Sequence, residues 1–185
     1  MLHVGLLVKI YFIVSLLILS SSSANVVDAK DLTLNNAPTQ VYFSPKGGCT
    51  EAIVDALNHA KSEILVQAYS FTSKDIAKAL LEAHKRGVHI EIILDRSNRS
   101  KNYSAGDFAA HMGISTYIDS AHAIAHNKII VIDKKTVITG SFNFTKAAEN
   151  NNAENLLIIS STDLAKYYIQ NWETHKEHSV AYMGR

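Results

Sequence analysis

The sequence predicts an α/β fold in which helices flank a mixed, largely parallel β-sheet within a single domain. Two almost continuously apolar runs, Ile64–Phe71 and Val88–Leu94, have the length and composition of strands buried on both faces. Amphipathic stretches with helical spacing precede and follow the first run. The order strand, helix, strand, helix, strand is typical of parallel strands connected by helices.

The first half of the chain predicts three strands and two helices. Val41–Ser44 is expected to be the first strand, and Thr50 is expected to cap the first helix. Thr72 or Ser73 is expected to cap the second helix, because short hydroxyl side chains can bond the free amides of a first turn. Gly87 is expected to end that helix.

The second half predicts shorter elements. These are a helix at Ala105–Met112 within the polar segment 95–113, strands at Ser115–Ile118, His126–Ile132, Thr136–Thr139 and Glu154–Ile159, a helical start at Thr145–Asn150, and a closing helix at Asp163–Lys176. The polar stretch Asp133–Lys135 is expected to turn the chain between two strands.

Residues 1–24 have the features of a secretory signal peptide. A weakly basic start ending at Lys9 precedes the apolar run Ile10–Leu19, and Ser22 and Ala24 fit the small-x-small cleavage pattern. Residues 25–38 are predicted to be a flexible leader and residues 39–185 the folded domain. We therefore expect an exported bacterial protein, periplasmic or secreted, with an uncleaved N-terminal anchor as the alternative.

Charge and cysteine content limit the possible partners. The chain of 185 residues has 18 basic and 17 acidic residues, and Lys9 is the one charged side chain in residues 1–24. The predicted mature chain is therefore neutral, so an anionic substrate must be held by local clustering. Cys49, the single cysteine, is expected to be a small apolar residue opening a helix. No zinc-type Cys/His cluster is visible in the sequence, and we expect neither a metal nor another cofactor.

The most specific signal lies in the segment that begins at His126. An H-x-K-x₄-D pattern is followed by G-S-x-N, a combination expected by chance in roughly 1 of 100,000 such chains. Its residues are His126, Lys128, Asp133, Gly140, Ser141 and Asn143. An imidazole, a fixed cation and small hydrogen-bond donors together suit a metal-free attack on a phosphate ester.

Strand geometry separates the motif into parts. Side chains alternate between faces, so His126 and Lys128 are expected to point the same way and Asp133 the other, which suggests a structural role for Asp133. Gly140 is expected to let the backbone approach a ligand. Glu154 lies on a neighbouring predicted strand, and a carboxylate bonded to one imidazole nitrogen leaves the other nitrogen nucleophilic.

Residues from about 40 to 178 resemble the small, single-motif bacterial endonucleases of the phospholipase D superfamily, the EDTA-resistant Nuc type. The segments Gln67–Thr72, His126–Phe144 and Asn152–Asn155 account for this resemblance. It implies a phospholipase D-like fold, a metal-independent reaction and a phosphodiester substrate.

The resemblance also implies a role for each motif residue. His126 corresponds to a nucleophile that forms a covalent phosphohistidine, and Glu154 to the carboxylate that orients it. Phosphate binding corresponds to Lys128, Ser141 and Asn143, and Asp133 corresponds to a chiefly structural aspartate.

A single copy of the motif predicts a homodimer. One histidine attacks phosphorus, and a second group must protonate the leaving oxygen. His122 is a poor candidate, because it lacks a companion lysine and aspartate. A two-fold axis that brings two copies of His126 together would complete the site.

Three functions remain open at this point. The first is hydrolysis of DNA or RNA with little sequence preference, since no groove-reading helix is visible. The second is hydrolysis of membrane phospholipids, for which a retained N-terminal anchor would supply membrane contact. The third is a noncatalytic module that binds nucleic acid or lipid.

Two further groups of residues have open interpretations. Arg96, Arg99 and Lys101 follow a predicted strand and either contact a polynucleotide backbone or belong to a solvated loop. Tyr69 and Phe71 are expected in the core, with a place in a pocket wall as the alternative.

Overall fold

Eight strands and five helices make up the part of the chain that the computed structural model describes, residues 31–100 and 105–185. The strands are β1 (Thr39–Ser44), β2 (Glu63–Ala68), β3 (His89–Asp95), β4 (Ser115–Asp119), β5 (Lys128–Ile132), β6 (Thr136–Gly140), β7 (Glu154–Ser160) and β8 (Val180–Ala181). The helices are α1 (Cys49–His59), α2 (Lys74–Lys85), α3 (Ala105–His111), α4 (Lys146–Asn150) and α5 (Thr162–Glu177), with a 3₁₀ helix at Arg96–Ser100.

All eight strands form one mixed sheet in the order β1-β7-β6-β5-β2-β3-β4-β8. The prediction of a mixed sheet flanked by helices is confirmed, but its largely parallel character is wrong. Only β2, β3 and β4 pair in parallel, through β2–β3 and β3–β4. The other five pairings are antiparallel. They are β1–β7, β7–β6, β6–β5, β5–β2 and β4–β8.

The central strands are buried on both faces, as the apolar runs predict. One face packs against α1 and α2 through residues such as Val66, Ile92 and Ile130, and the other packs against α5. The smaller core beneath α5 contains Leu65, Ile93, Ile129, Val131, Val137, Ala165 and Trp172. The Trp172 indole N–H donates to the Val66 carbonyl at 2.9 Å, which fixes α5 on the sheet.

The cap of α1 differs from the prediction. Thr50 lies inside the helix, and Gly48 takes the cap position with a positive φ of 79°. The carboxylate of Glu149 in α4 accepts from the amides of Gly48 at 3.1 Å and Thr50 at 2.7 Å. The Glu149 side chain therefore caps the helix, a role that we expected Thr50 to have. The cap of α2 is Ser73, whose hydroxyl accepts from the Ile76 amide.

Cys49 opens α1 and is fully buried, as expected of a small apolar residue. Burial and the nearby Glu149 carboxylate raise the pKa of its thiol to about 11. The side chain is therefore a neutral thiol in the core.

The predicted signal peptide and the leader up to residue 30 lie outside the described residues, as does Lys101. Residues Leu32–Arg185 form one compact unit. Within the described ranges, we find no helix with the length and apolar character that a membrane crossing requires.

Candidate active site

His126 and Lys128 lie at the end of the sheet where the three parallel strands finish and β5 begins. Ala68, Asp95 and Asp119 are the last residues of β2, β3 and β4. Lys128, the first residue of β5, pairs with Ala68 across the antiparallel ladder. Carboxyl ends of parallel strands are the usual place for ligands in α/β folds.

His126 and Lys128 both contact Tyr69, which follows β2. The His126 ring lies 4.6 Å from the Tyr69 ring, centroid to centroid, and the Lys128 ammonium lies 5.2 Å from the same ring. His126 is exposed and precedes β5, so the predicted strand His126–Ile132 begins two residues too early. Tyr69 therefore lines the site, whereas Phe71 is fully buried in the core.

Lys128 is a buried cation with only 7% of its surface exposed. Its ammonium donates to the His126 carbonyl at 2.6 Å, which ties the side chain to the backbone of the histidine. Burial lowers the pKa of Lys128, and the negative charge of Glu154 acts in the opposite direction. The site therefore combines the buried ammonium group of Lys128 with the exposed imidazole of His126.

The loop that carries His126 is held by Asp95, which sequence reasoning did not identify, and by Arg96 and Tyr69. The buried carboxylate of Asp95 accepts from the Ala125 amide at 2.9 Å, and Arg96 donates to the Ala123 carbonyl at 3.1 Å. Tyr69 donates its amide to the Asn127 carbonyl at 2.8 Å. These bonds hold the backbone on both sides of His126.

Asp95 remains charged in this position. Burial raises the pKa of its carboxyl group, but hydrogen bonds from Ser97 and the Ala125 amide, with the charge of Arg96, lower it below its usual value. Arg96 therefore contributes to the loop structure, whichever ligand it also contacts.

Gly140 and Ser141 are fixed against β7. A side chain at Gly140, whose φ is 146°, would place its Cβ 2.2 Å from the Asn155 carbonyl oxygen. Gly140 therefore allows a close approach of the Asn155 backbone, and not the approach of a ligand that we expected from the sequence. The Ser141 hydroxyl, which is exposed, accepts from the Asn155 amide at 3.1 Å.

Asn143 follows in the same turn. Its side-chain oxygen is buried and has no hydrogen-bond partner among the described residues. A buried polar atom of this kind usually has a partner in the working protein. Asn143 is thus available for a ligand at this edge.

Glu154 begins β7, with its carboxylate accepting from the Asn152 amide group at 3.1 Å. In this arrangement the carboxylate bonds Asn152 and not His126. The next residue, Asn155, contacts Gly140 and Ser141, so Glu154 lies near the site. The role of orienting His126 stays a prediction.

Asp133 lies at the far end of β5. Its carboxylate accepts from the amides of Lys61, Ser62 and Glu63 at 2.7 to 3.2 Å and from the Ser62 hydroxyl at 2.9 Å. These bonds hold the start of β2 against the end of β5. Asp133 is therefore separated from His126 by the length of a strand.

A second cluster of polar side chains was missed by sequence reasoning. Asp119, His122, His175 and His178 converge at the end of β4, and their ligand-type atoms lie within 4.8 Å of one another. The spacings D-x-x-H and H-x-x-H were the available signals, but only the fold brings the two pairs together.

Comparison with known proteins identifies the family. Residues 53–176 match the family described as "Cardiolipin synthase, PLD-like domain". The chain belongs to the phospholipase D superfamily. A phospholipase D of Rickettsia prowazekii (strain Madrid E) is 41% identical over 170 residues, which cover 85% of this chain and 83% of that protein.

Solved structures agree with this assignment. Nuc from Salmonella typhimurium, a phospholipase D family member, matches with a TM-score of 0.76 and 40% identity, covering 79% of this chain and 98% of that one. NucT from Helicobacter pylori matches with a TM-score of 0.74, covering 79% of this chain and 99% of that one. Its 23% identity supports the fold alone. The chain is therefore a phospholipase D-family hydrolase that acts on phosphodiester bonds.

Proposed function

We propose that this protein is a metal-independent endonuclease that hydrolyses DNA, and RNA as a second substrate, without sequence preference. The main observation is that the exposed imidazole of His126 and the buried ammonium of Lys128 both lie against the Tyr69 ring, where the parallel strands end. The 40% identity to Nuc over 98% of that chain supports nucleic acid as the substrate.

The first chemical step is attack by His126. One imidazole nitrogen forms a bond to phosphorus, and the P–O bond to the leaving group breaks with its electron pair. Lys128, Ser141 and Asn143 bind the phosphoryl oxygens and stabilise the charge that develops on them. Glu154 orients the imidazole once substrate is bound, since catalytic hydrogen bonds often tighten only in the complex.

The second step releases the phosphohistidine. A water oxygen attacks phosphorus, and the P–N bond breaks and returns its electron pair to His126. This step needs a base for the water proton, and the first step needs an acid for the leaving oxygen. A single group can serve both steps if it donates a proton to the leaving oxygen in the first step and accepts the water proton in the second.

A second copy of His126 supplies that group in a homodimer. The chain has a single H-x-K-x₄-D motif, so a two-fold axis through the site is the simplest source of another imidazole. Ile124, two residues from His126, exposes 57% of its surface. A single exposed apolar side chain is common on protein surfaces, so the proposed dimer rests on the single motif.

Export from the bacterial cytoplasm to the periplasm or medium fits this activity. The signal-peptide pattern of residues 1–24 supports it, with retention as an N-terminal anchor as the alternative. Fractionation of cells that produce the full chain would place the protein, and the N-terminal sequence of the mature form would give the cleavage site.

Phospholipid hydrolysis is the second candidate. The Rickettsia prowazekii relative is named phospholipase D, and the matching family carries the description cardiolipin synthase. The same phosphodiester chemistry would serve either substrate. The choice depends on which phosphodiester reaches the open edge around His126.

The test compares both substrates directly. Purified protein is incubated with plasmid DNA and with phosphatidyl lipid vesicles, each in the presence of EDTA. We expect DNA cleavage that survives chelation and falls at least about 1,000-fold in His126→Ala, because the nucleophile is lost. His59→Ala, which removes an exposed histidine of α1, should cleave like the wild type.

Other outcomes would contradict the proposal. Lipid turnover without DNA cleavage would favour the phospholipase, and cleavage that requires added magnesium would exclude the metal-independent mechanism. Recovery of a phosphorylated His126 peptide after rapid alkaline quenching would support the covalent step. Inactivity toward both substrates, with DNA or lipid still bound, would favour the noncatalytic module.

A further inference from the structure

The cluster at the end of β4 is built around a buried carboxylate. Asp119 has no exposed surface, and one of its oxygens, Oδ2, lies within hydrogen-bond distance of three imidazoles. The distances are 2.8 Å to His175 Nδ1, 3.1 Å to His122 Nδ1 and 3.3 Å to His178 Nε2. The three imidazole rings lie 4.9 to 5.3 Å apart, centroid to centroid.

The four side chains come from three separate parts of the fold. Asp119 ends β4, and His122 follows in the loop that leads to His126. His175 and His178 lie at the carboxyl end of α5, more than fifty residues later in the chain. Their convergence therefore depends on tertiary structure rather than on local chain geometry.

Asp119 is a charged carboxylate inside this cluster. Burial raises the pKa of its carboxyl group, but hydrogen bonds from His175, the Ala121 amide, His178 and His122 outweigh this and lower the pKa to about 2. The neighbouring cation, Lys176, forms an ion pair with Glu91 instead. A buried, charged carboxylate thus faces three imidazoles.

This donor set matches the coordination chemistry of zinc. Neutral imidazole nitrogens and a carboxylate oxygen are common zinc ligands, and four of them complete a tetrahedral site. Metal–ligand bonds of about 2.0–2.2 Å require ligand atoms roughly 3.3 Å apart. The present atoms lie within 4.8 Å, and the exposed side chains of His122 and His178 can rotate inward to close that gap.

We infer that Asp119, His122, His175 and His178 form a binding site for a divalent transition metal, with zinc as the ion that fits best. The site lies three strands away from Lys128, since β2 and β3 separate β5 from β4. At about 4.8 Å between strands, this separation is roughly 14 Å. The metal therefore takes no part in the reaction at His126.

The bound metal would connect the loop before His126 to the end of α5. His122 lies four residues before His126, on the loop that Asp95 and Arg96 already hold from the other side. A metal bond at His122 adds a further attachment between this loop and the helix. We therefore expect metal binding to stabilise the fold and to restrict movement of the loop that carries His126.

The test measures metal binding by the untagged protein, because a histidine tag would bind the same ions. After dialysis against zinc and removal of free ion, we expect one zinc per chain. Zinc should raise the thermal midpoint and a chelator should lower it, because a ligand that binds only the native state stabilises it. Cobalt should replace zinc and show the visible spectrum of a four-coordinate ion.

Variants assign the binding to this cluster. The double variant His122→Ala/His178→Ala keeps the buried residues in place, and we expect its zinc affinity to fall at least about 100-fold. His59→Ala, which removes an exposed histidine beside Asp55, should bind like the wild type. Less than stoichiometric binding, or equal affinity in the double variant, would overturn the inference. These measurements need no substrate, so they are independent of the proposed nuclease activity.

Discussion

At the scale of single residues, the catalytic role proposed for Lys128 comes with a cost in stability. Its ammonium is buried beside Tyr69 and His126, and burial lowers its pKa. A fixed cation in a dry site acts strongly on a phosphoryl group, because little solvent screens it. The same burial makes the charge expensive to hold in the folded chain.

Lys128→Met should separate these two effects. We expect kcat/KM for DNA cleavage to fall about 100- to 1,000-fold, with the free energy of unfolding unchanged or increased. Kinetics and urea denaturation on the same preparations measure both. Lys135→Met, at an exposed turn position, is the matched control and should leave both quantities unchanged. Loss of stability together with activity would show that Lys128 chiefly supports the fold.

Asp133 makes a pH-dependent contribution to stability. Burial raises the pKa of its carboxyl group, but hydrogen bonds from the Ser62, Glu63 and Lys61 amides and the Ser62 hydroxyl lower it below its usual value. A group whose pKa is lower in the folded state stabilises the fold above its unfolded pKa. That contribution is lost as the pH falls through the folded-state pKa.

Asp133→Asn is the informative variant, because asparagine tolerates the positive φ of 51° at this position, removes the charge and replaces one acceptor oxygen with an NH₂ group. We expect the free energy of unfolding at pH 7 to fall by about 1–2 kcal/mol. The difference from the wild type should shrink as the pH drops below about 4. Asp163→Asn, at an exposed helix position, should have a smaller effect. A difference that is independent of pH would contradict this interpretation.

At the scale of secondary-structure elements, the first turn of α1 is capped by a side chain of another helix, α4. Gly48 offers no side chain to the free amides of the first turn, and Glu149 in α4 supplies the acceptor. The contact joins two segments about a hundred residues apart in sequence. It connects the start of α1 to the turn that carries Asn143 and to the beginning of β7.

Glu149→Ala should destabilise the protein by about 1 kcal/mol, the usual cost of losing a helix cap. Chemical denaturation measures the change. Glu51→Ala, in the first turn of the same helix, removes an acidic side chain without touching the capped amides and should have a smaller effect. Equal effects of the two substitutions would mean that general electrostatics, rather than the cap, explains the loss.

At the scale of the whole molecule, the active site that we propose to be shared in a homodimer predicts a characteristic response to subunit mixing. If both copies of His126 are needed, a dimer with one His126→Ala chain is inactive. Activity should then fall as the square of the wild-type fraction, so equal mixing and re-association leave about one quarter of the activity. Mixing with His59→Ala chains should leave activity unchanged. A linear decline, or a fully active monomer in sedimentation, would contradict the shared site.

Most of the secondary-structure elements and the motif that begins at His126 could be predicted from the sequence. Strands β2 and β3, helices α2 and α5 and the β5–β6 hairpin follow from apolar periodicity and turn residues, which are local properties of the chain. The motif from His126 to Asn143 is also local. Its residues therefore carry a recognisable spacing before any fold is known.

The contacts between distant parts of the chain could not be predicted and are visible only in the folded protein. The antiparallel direction of most strand pairs, the Tyr69 ring against His126 and the Glu149 cap on α1 join segments far apart in the chain. The same is true of Asp119 with His175 and His178. Such contacts have no local pattern, because the chain adopts them only when the packing of the sheet and helices brings the two segments together.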